Sequence, residues 1–377
     1  MKILNISSSG GIGGREMIVM TISDGLRARG CEVRLITSRG TWLHDTAIAG
    51  GYKNYTLPMK KYIDLYSMCK IGAILRDFKP DVVHLYFISD IWLVVPAVKI
   101  FFPHAKTFLL RSMQSAPMKD WFRTKLFRGL TKIIVMSDFL KCDFLSQTRV
   151  AAEHVEKIYV GVDLDKFQVR TTGENVLKKD YHLKPDDILI GLVGRIDTGK
   201  GQDKFIFAAK DVVDAIGRGY PEFAGRLKFL IVGSSEKGSG LAYEKTLKKL
   251  ACDSGIQDLV IFTGFRNDIP RVMAALDIAV FPSKDEAFGL VVIEAMAAAK
   301  AVVGFRRGAF PEIIVHHETG LIVDYDSASL GRGIVELVVA EKKRIRYGAQ
   351  GRTIVEQKFS LEATLSNFLD VYRRSAP

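Results

Sequence analysis

Short runs of Val, Ile and Leu alternate with longer segments of helical period from one end of the chain to the other. The apolar runs of the first half are residues 2–6, 33–37, 82–86, 107–110 and 133–136. Those of the second half are 188–193, 227–232, 260–262, 278–281 and 301–303. Their nearly continuous apolar character marks strands covered on both faces, as in a parallel sheet. Between them, segments such as 15–29 and 242–252 repeat apolar positions at the spacing of a helix. This alternation predicts βαβ units and an α/β fold of doubly wound parallel sheets. It also restarts. The first set of strands ends near Tyr159, a polar stretch at 168–184 follows, and Ile188 opens a second set. Two Rossmann-like halves are expected, with a last helix near 361–373 after the second sheet.

Composition adds limits. The chain has 377 residues, of which 48% are hydrophobic and 25% charged, enough to bury two cores. Cys31, Cys69, Cys142 and Cys252 lie far apart with no CxxC pair. That spacing argues against a disulfide scaffold and suits a reducing cytosol. No apolar run reaches the ~18 residues of a membrane span. The longest, at 91–102, is interrupted by Pro96 and Lys99. The first residues read as a strand and not as a signal peptide, since 7–14 offers no apolar segment. A cytoplasmic protein is expected. The formal charge of +12 calls for an anionic partner: nucleic acid, an acidic membrane or a phosphorylated substrate.

Three motifs fall short of what they resemble. Gly10-Gly11-Ile12-Gly13-Gly14 follows a strand and precedes a helix, but Glu16 stands where a dinucleotide fingerprint needs its third glycine. No acidic residue ends the second strand, where Thr37-Ser38 stands. The glycine turn remains a fit for an anion at a helix start. Gly194 through Lys200-Gly201 nearly spells a P-loop, yet Gly201 replaces the hydroxyl that would hold magnesium. Asp163-Leu164-Asp165 matches a metal-binding DxD but sits in a turn after a strand, where Asp more often caps. The seven histidines form no metal-binding set, and no metal is expected.

The most informative stretch is 283–297. Glu286 and Glu294 flank Phe288-Gly289-Leu290, after the apolar run 278–281. With a helix starting near Gly289, Glu286 lies in the preceding loop and Glu294 inside the second turn. Phe288, Gly289 and Leu290 then present backbone N–H groups at the positive helix end. Gly289 would let a phosphate approach the backbone. Glu294, on a largely apolar helix, wants a hydroxyl partner such as a ribose.

This E-x-F-G-x-x-x-x-E pattern resembles the EX7E signature of retaining GT-B glycosyltransferases, the glycogen-synthase-like group called family 4. Val193-Gly194-Arg195 with Lys200-Gly201 resembles the family's G-R-x-x-x-x-K-G element. The segment 157–163 with Phe167 resembles its V-I-P-N-G-V-D-x-x-x-F link, and 80–84 its P-D-V-V-H strand. Pro311-Glu312-Ile313 with 319–323 resembles its tail. The resemblance covers essentially the whole chain in order. Two departures stand out: Ala298-Ala299-Lys300-Ala301 lacks the family's Gly and Pro, and Arg111-Ser112 stands where many relatives carry a donor-site His.

The resemblance implies a GT-B fold of two Rossmann-like domains, 1–165 for the acceptor and 166–359 for the donor. The helix at about 360–377 would pack back on the first. A UDP- or GDP-sugar is the implied donor, lying mainly on the second domain, with a glycan or lipid-linked acceptor and no cofactor or metal. Arg195 and Lys200 would meet the diphosphate, Glu286 the sugar and Glu294 the ribose. The Phe288–Leu290 amides would assist, and Gly13 and Gly14 would close on the diphosphate. Glu286, Arg195 and Lys200 are thus the implied catalytic set. The alternatives are a GT-B-shaped epimerase or phosphorylase, or a non-catalytic sugar-nucleotide-binding subunit.

Charge is not evenly spread. Between Pro96 and Val135 lie Lys99, Lys106, Arg111, Lys119, Arg123, Lys125, Arg128 and Lys132, with Asp120 the one acid and Trp121, Phe122, Leu126 and Phe127 interleaved. Lys119, Trp121, Arg123, Lys125 and Arg128 are the candidate surface for anionic lipid or a lipid-linked acceptor, and the protein is expected on the inner face of the plasma membrane. No nucleic-acid motif accompanies the charge.

Overall fold

The computed structural model describes residues 1–11, 13–60, 64–114, 116, 118–167, 175–235 and 239–375. They form two compact units: residues 1–160 with the terminal segment from Leu361, and residues 161–360. The division falls at Val160/Gly161 and not at 165/166.

The first unit is built on a seven-stranded sheet. Its strands are β1 (Lys2–Ser7), β2 (Glu32–Thr37), β3 (Lys53–Thr56), β4 (Val82–Leu85), β5 (Lys106–Arg111), β6 (Lys132–Val135) and β7 (Val155–Lys157). They lie in the order β3-β2-β1-β4-β5-β6-β7. All pairings are parallel. In the second unit, β8 (Ile188–Val193), β9 (Leu227–Val232), β10 (Val260–Gly264), β11 (Ile278–Phe281), β12 (Ala301–Phe305) and β13 (Gly320–Val323) are ordered β10-β9-β8-β11-β12-β13, again parallel. The strand order reverses between β1 and β4 and between β8 and β11. Such switch points leave a crevice at the carboxyl ends of the strands, where α/β sheets take their ligands.

Central strands carry the apolar runs because helices cover both faces. β8 is buried along its whole length, and Phe205 and Phe229 are fully buried in the core around it. Three strands that the apolar runs do not mark, β3, β7 and β13, are short and occupy sheet edges.

The terminal helix Leu361–Arg374 packs within the first unit. A Cβ at Gly25 would land 2.2 Å from Leu365 Cδ1, so the helix Gly14–Ala28 needs its glycine there. Tyr372 meets His84 of β4, Oη to Nδ1 at 2.5 Å, both fully buried. Burial pushes the His84 pKa down to about 3, which keeps the imidazole neutral. Lys106 Nζ donates to the carbonyls of Tyr372 (2.9 Å) and Arg373 (3.2 Å), placing a cation at the helix C-terminus.

Candidate functional site

At the switch point of the second unit, the loops after β8 and β11 lock together. The β8 loop folds around Asp197, which accepts from Gly199 N–H (2.9 Å) and from Arg195 Nε (3.0 Å), while its carbonyl accepts from Lys200 N–H (3.0 Å). Lys284 N–H, in the β11 loop, donates to the Gly199 carbonyl at 3.0 Å. Gly201 ends the loop at φ +75° and caps the helix Gln202–Gly219. A Cβ there would stand 2.1 Å from the Pro282 carbonyl oxygen. No Ser or Thr fits this position without moving the β11 loop, so the near-match to a P-loop ends in a steric requirement for glycine.

This interlock brings Lys200 and Glu286 together. Lys200 Nζ donates to Glu286 Oε2 at 2.7 Å, with side chains 31% and 17% exposed. A third loop, after β12, holds Glu286 from behind. Ala309 N–H donates to its carbonyl at 2.9 Å. A Cβ on Gly308 (φ +56°) would meet that same oxygen at 2.2 Å. Arg307 Nε reaches the Lys284 carbonyl at 3.3 Å and its guanidinium pairs with Asp285 at 3.6 Å. Arg307 and Gly308 are supports that sequence reasoning missed, because nothing in the local pattern ties them to residues more than twenty positions earlier. Arg195 stays half-exposed on Asp197, and Gln202 Nε2 fixes its carbonyl at 2.9 Å.

The helix after β11 is Leu290–Ala297, with Gly289 as its cap at φ +95°. Its positive φ and the Phe310 ring, 3.0 Å from where a Cβ would stand, give this position a packing reason for glycine beside the expected one. Phe288 is fully buried. Leu290 opens the helix, placing its N–H in the first turn. Glu294 is half-buried in the second turn, and burial pushes its pKa up to about 7. Asp163 accepts from Asp165 N–H at 3.1 Å, the bond of a turn.

In the first unit, Gly13 caps the helix Gly14–Ala28 in extended backbone, and Gly14 has open space around it. Glu16, where a dinucleotide motif would have glycine, is buried and bonded to Ser9 Oγ and to Arg15 Nε (3.1 Å). Ser8 N–H donates to Asp90 Oδ2 at 3.0 Å, and burial lifts the Asp90 pKa to about 7. Two buried carboxylates thus brace the described part of the glycine loop.

The basic stretch is not one surface. Lys106 caps the terminal helix, Lys132 Nζ donates to the Glu153 carbonyl, and Arg111 is buried. Phe127, expected at the surface, is fully buried against Phe144 with ring centroids 5.2 Å apart. Apart from Lys99, what remains outside clusters at the helix Trp121–Phe127. Trp121 and Phe122 are 63% and 64% exposed, beside Lys119, Lys125 and Arg128. No helix among the described residues is long and apolar enough to cross a membrane.

Two family profiles divide the chain. Residues 12–166 match one described as Glycosyltransferase Family 4, and residues 174–354 match glycosyl transferases group 1. The chain belongs to glycosyltransferase family 4. A GDP-mannose-dependent alpha-(1-6)-phosphatidylinositol monomannoside mannosyltransferase of Mycobacterium tuberculosis is 30% identical over 64% of this family 4 chain and 62% of its own length. A lipopolysaccharide core biosynthesis mannosyltransferase of Rhizobium meliloti is 30% identical over 56% of the chain and 58% of its own. The chain thus spans about three fifths of the length of these curated relatives. A crystal structure of an Anabaena protein in complex with UDP superposes with a TM-score of 0.85 at 20% identity, over 99% of this chain and 100% of that one. The shared fold is GT-B.

Proposed function

We propose that this family 4 chain is a glycosyltransferase that moves a sugar from a UDP- or GDP-sugar to a glycan or lipid-linked acceptor, with retained configuration and without a metal. The observation that carries the reading is the Lys200–Glu286 pair at the switch point of the second unit. A cation and a carboxylate held by three interlocked loops suit a donor whose diphosphate needs positive charge and whose sugar needs an acceptor for its hydroxyls. Lys200 has three donors, and Glu286 uses one. The others serve the diphosphate, with Arg195 and the first-turn amide of Leu290. Glu294 takes the ribose. The departing phosphate accepts the acceptor proton on the same face, which retains configuration.

The printed names of the relatives, one acting on a phosphatidylinositol mannoside and one in lipopolysaccharide core synthesis, support a glycolipid acceptor. Trp121, Phe122, Lys119, Lys125 and Arg128 then form the docking tip for anionic lipid. The test is thermal shift and transfer with a panel of UDP-, GDP- and ADP-sugars. One donor should raise the melting point and support transfer in EDTA. Lys200→Ala and Glu286→Gln should each strongly lower transfer. Conversion of the donor without any acceptor would point to an epimerase instead, and no stabilisation by any donor would sink the reading.

A further inference from the structure

A cavity of about 340 Å³ lies in the first unit, beside the turn after β4 and the end of β5. Three guanidiniums from three elements line it: Arg111 from the last position of β5, Arg15 from the first turn of the helix Gly14–Ala28, and Arg123 from the helix Trp121–Phe127. Arg111 is 7% exposed. Burial and neighbouring Arg15 pull its pKa down to about 10, against the attraction of Asp143. Arg15 is fixed in place. Its Nε donates to Glu16 at 3.1 Å, another nitrogen donates to Ser9 Oγ at 3.2 Å, and its guanidinium lies 4.7 Å from the Phe87 ring centroid. The third nitrogen faces the Met113 thioether at 3.6 Å, a weak acceptor. Ser89, on the same wall, has a buried hydroxyl with no partner among the described residues.

Arg111 Nη2 donates to the Met113 carbonyl at 2.8 Å and Arg123 Nε lies 3.5 Å from Asp120, so each guanidinium is partly engaged. Three of them around one cleft, with a hydroxyl beside them, still suit an anion with several oxygens. Arg forks suit a phosphate better than a single carboxylate, since each offers two parallel donors. We propose that this cavity holds a phosphate ester of the acceptor, gripped by Arg111 and Arg15, with Arg123 at the rim. The proposal rests on the glycosyl-transfer reading of the second unit and names its acceptor class. The phosphate belongs either to a soluble polyol phosphate or to a phospholipid headgroup.

Titration calorimetry of the full chain tests it, with glycerol 3-phosphate, glycerol, phosphatidylglycerol vesicles, and UDP and GDP as probes. Glycerol 3-phosphate should bind and glycerol should not. Arg111→Met and Arg123→Met should each weaken the phosphate by at least about tenfold, as loss of a charge-assisted hydrogen bond does. Both should leave the affinity for the nucleotide unchanged. Arg123 is on the rim and one third exposed, so its variant keeps the test valid if Arg111→Met unfolds. Binding of vesicles with the same dependence on Arg111, but not of glycerol 3-phosphate, also supports the proposal and identifies a lipid headgroup. No phosphate binding in either form, or binding indifferent to both arginines, overturns it. Equal weakening of nucleotide and phosphate overturns it too, because the cavity would then serve the donor. Failure of the nucleotides to bind the wild type strikes the glycosyl-transfer reading and leaves the phosphate arms to be judged by themselves.

Discussion

At the scale of single residues, Lys200 and Glu286 are a unit, and their variants should behave as one. Lys200→Ala is expected to lower turnover by about 10²–10³-fold, the cost of one preorganised charge contact. Glu286→Gln should lower turnover at saturating donor while leaving affinity for free UDP or GDP within a few-fold. A matching loss of free-nucleotide affinity would remove Glu286 from the sugar. Glu294 should show itself through pH. Its folded-state pKa lies near 7, raised from 4.5 by burial. Its contribution to the stability of the empty protein is therefore full below about pH 4.5 and is lost as pH rises through 7. A ribose favours the ionised carboxylate as acceptor, so nucleotide affinity should run the other way and weaken from pH 8 to pH 6. Calorimetry across that range checks this, and Glu294→Gln should flatten the profile. Gly201→Ser, which would complete the P-loop spelling, should destabilise the protein by about 1–3 kcal/mol from the positive φ alone. Collision with Pro282 adds to that, and a melting point at or above wild type would contradict the 2.1 Å approach. These spacings were legible in the chain. What was not legible is that Lys200, Glu286 and Gly308 converge, since that depends on three loops meeting across strand order.

At the scale of elements, apolar runs revealed every central strand and the edge strand β10, but not the edge strands β3, β7 and β13. β3 reads Lys-Asn-Tyr-Thr and β7 Val-Glu-Lys, because an edge strand has one neighbour and keeps its polar residues toward water. β13 is only four residues long and opens on Gly320, whose Cβ would meet the Val302 carbonyl at 2.3 Å. The basic stretch failed as one element for a related reason: a count of charges cannot tell a cation at a helix end or inside a wall from one in solvent. The helix Trp121–Phe127 keeps two exposed aromatics, and Lys125 Nζ lies 5.0 Å from the Trp121 ring centroid. Anionic lipid should draw this tip at low salt. Each cation near such a surface is worth about 1 kcal/mol, so Lys119→Glu with Lys125→Glu should release the protein from phosphatidylglycerol vesicles. Sedimentation unchanged by that pair, or equal on neutral vesicles, would leave the helix as an ordinary solvated face.

At the scale of the whole molecule, the chain's last helix completes the unit in which the chain began. The sequence marks 361–373 as helical, but its destination depends on groups far away in sequence. Gly25 clears a place for Leu365, Lys106 caps the last carbonyls, and His84 offers Nδ1 to Tyr372. Tyr372 is the largest of these commitments, with its ring centroid 4.9 Å from that of Phe108 and 5.7 Å from that of His84. Tyr372→Phe keeps the packing and strands the His84 nitrogen without its hydrogen bond, an expected cost of about 1–3 kcal/mol. Tyr372→Ala removes the ring as well and should cost about 3–5 kcal/mol. A single melting point does not say which of the two units carries these losses. Amide hydrogen exchange resolves them. Protection should fall in β4 and β5, which hold His84 and Phe108, and stay unchanged in β8, β9 and β11. Nucleotide binding, which the proposed function assigns to the second unit, should persist in both variants. Equal loss of protection in both sheets would mean that the terminal helix stabilises the molecule as a whole and not the first unit alone.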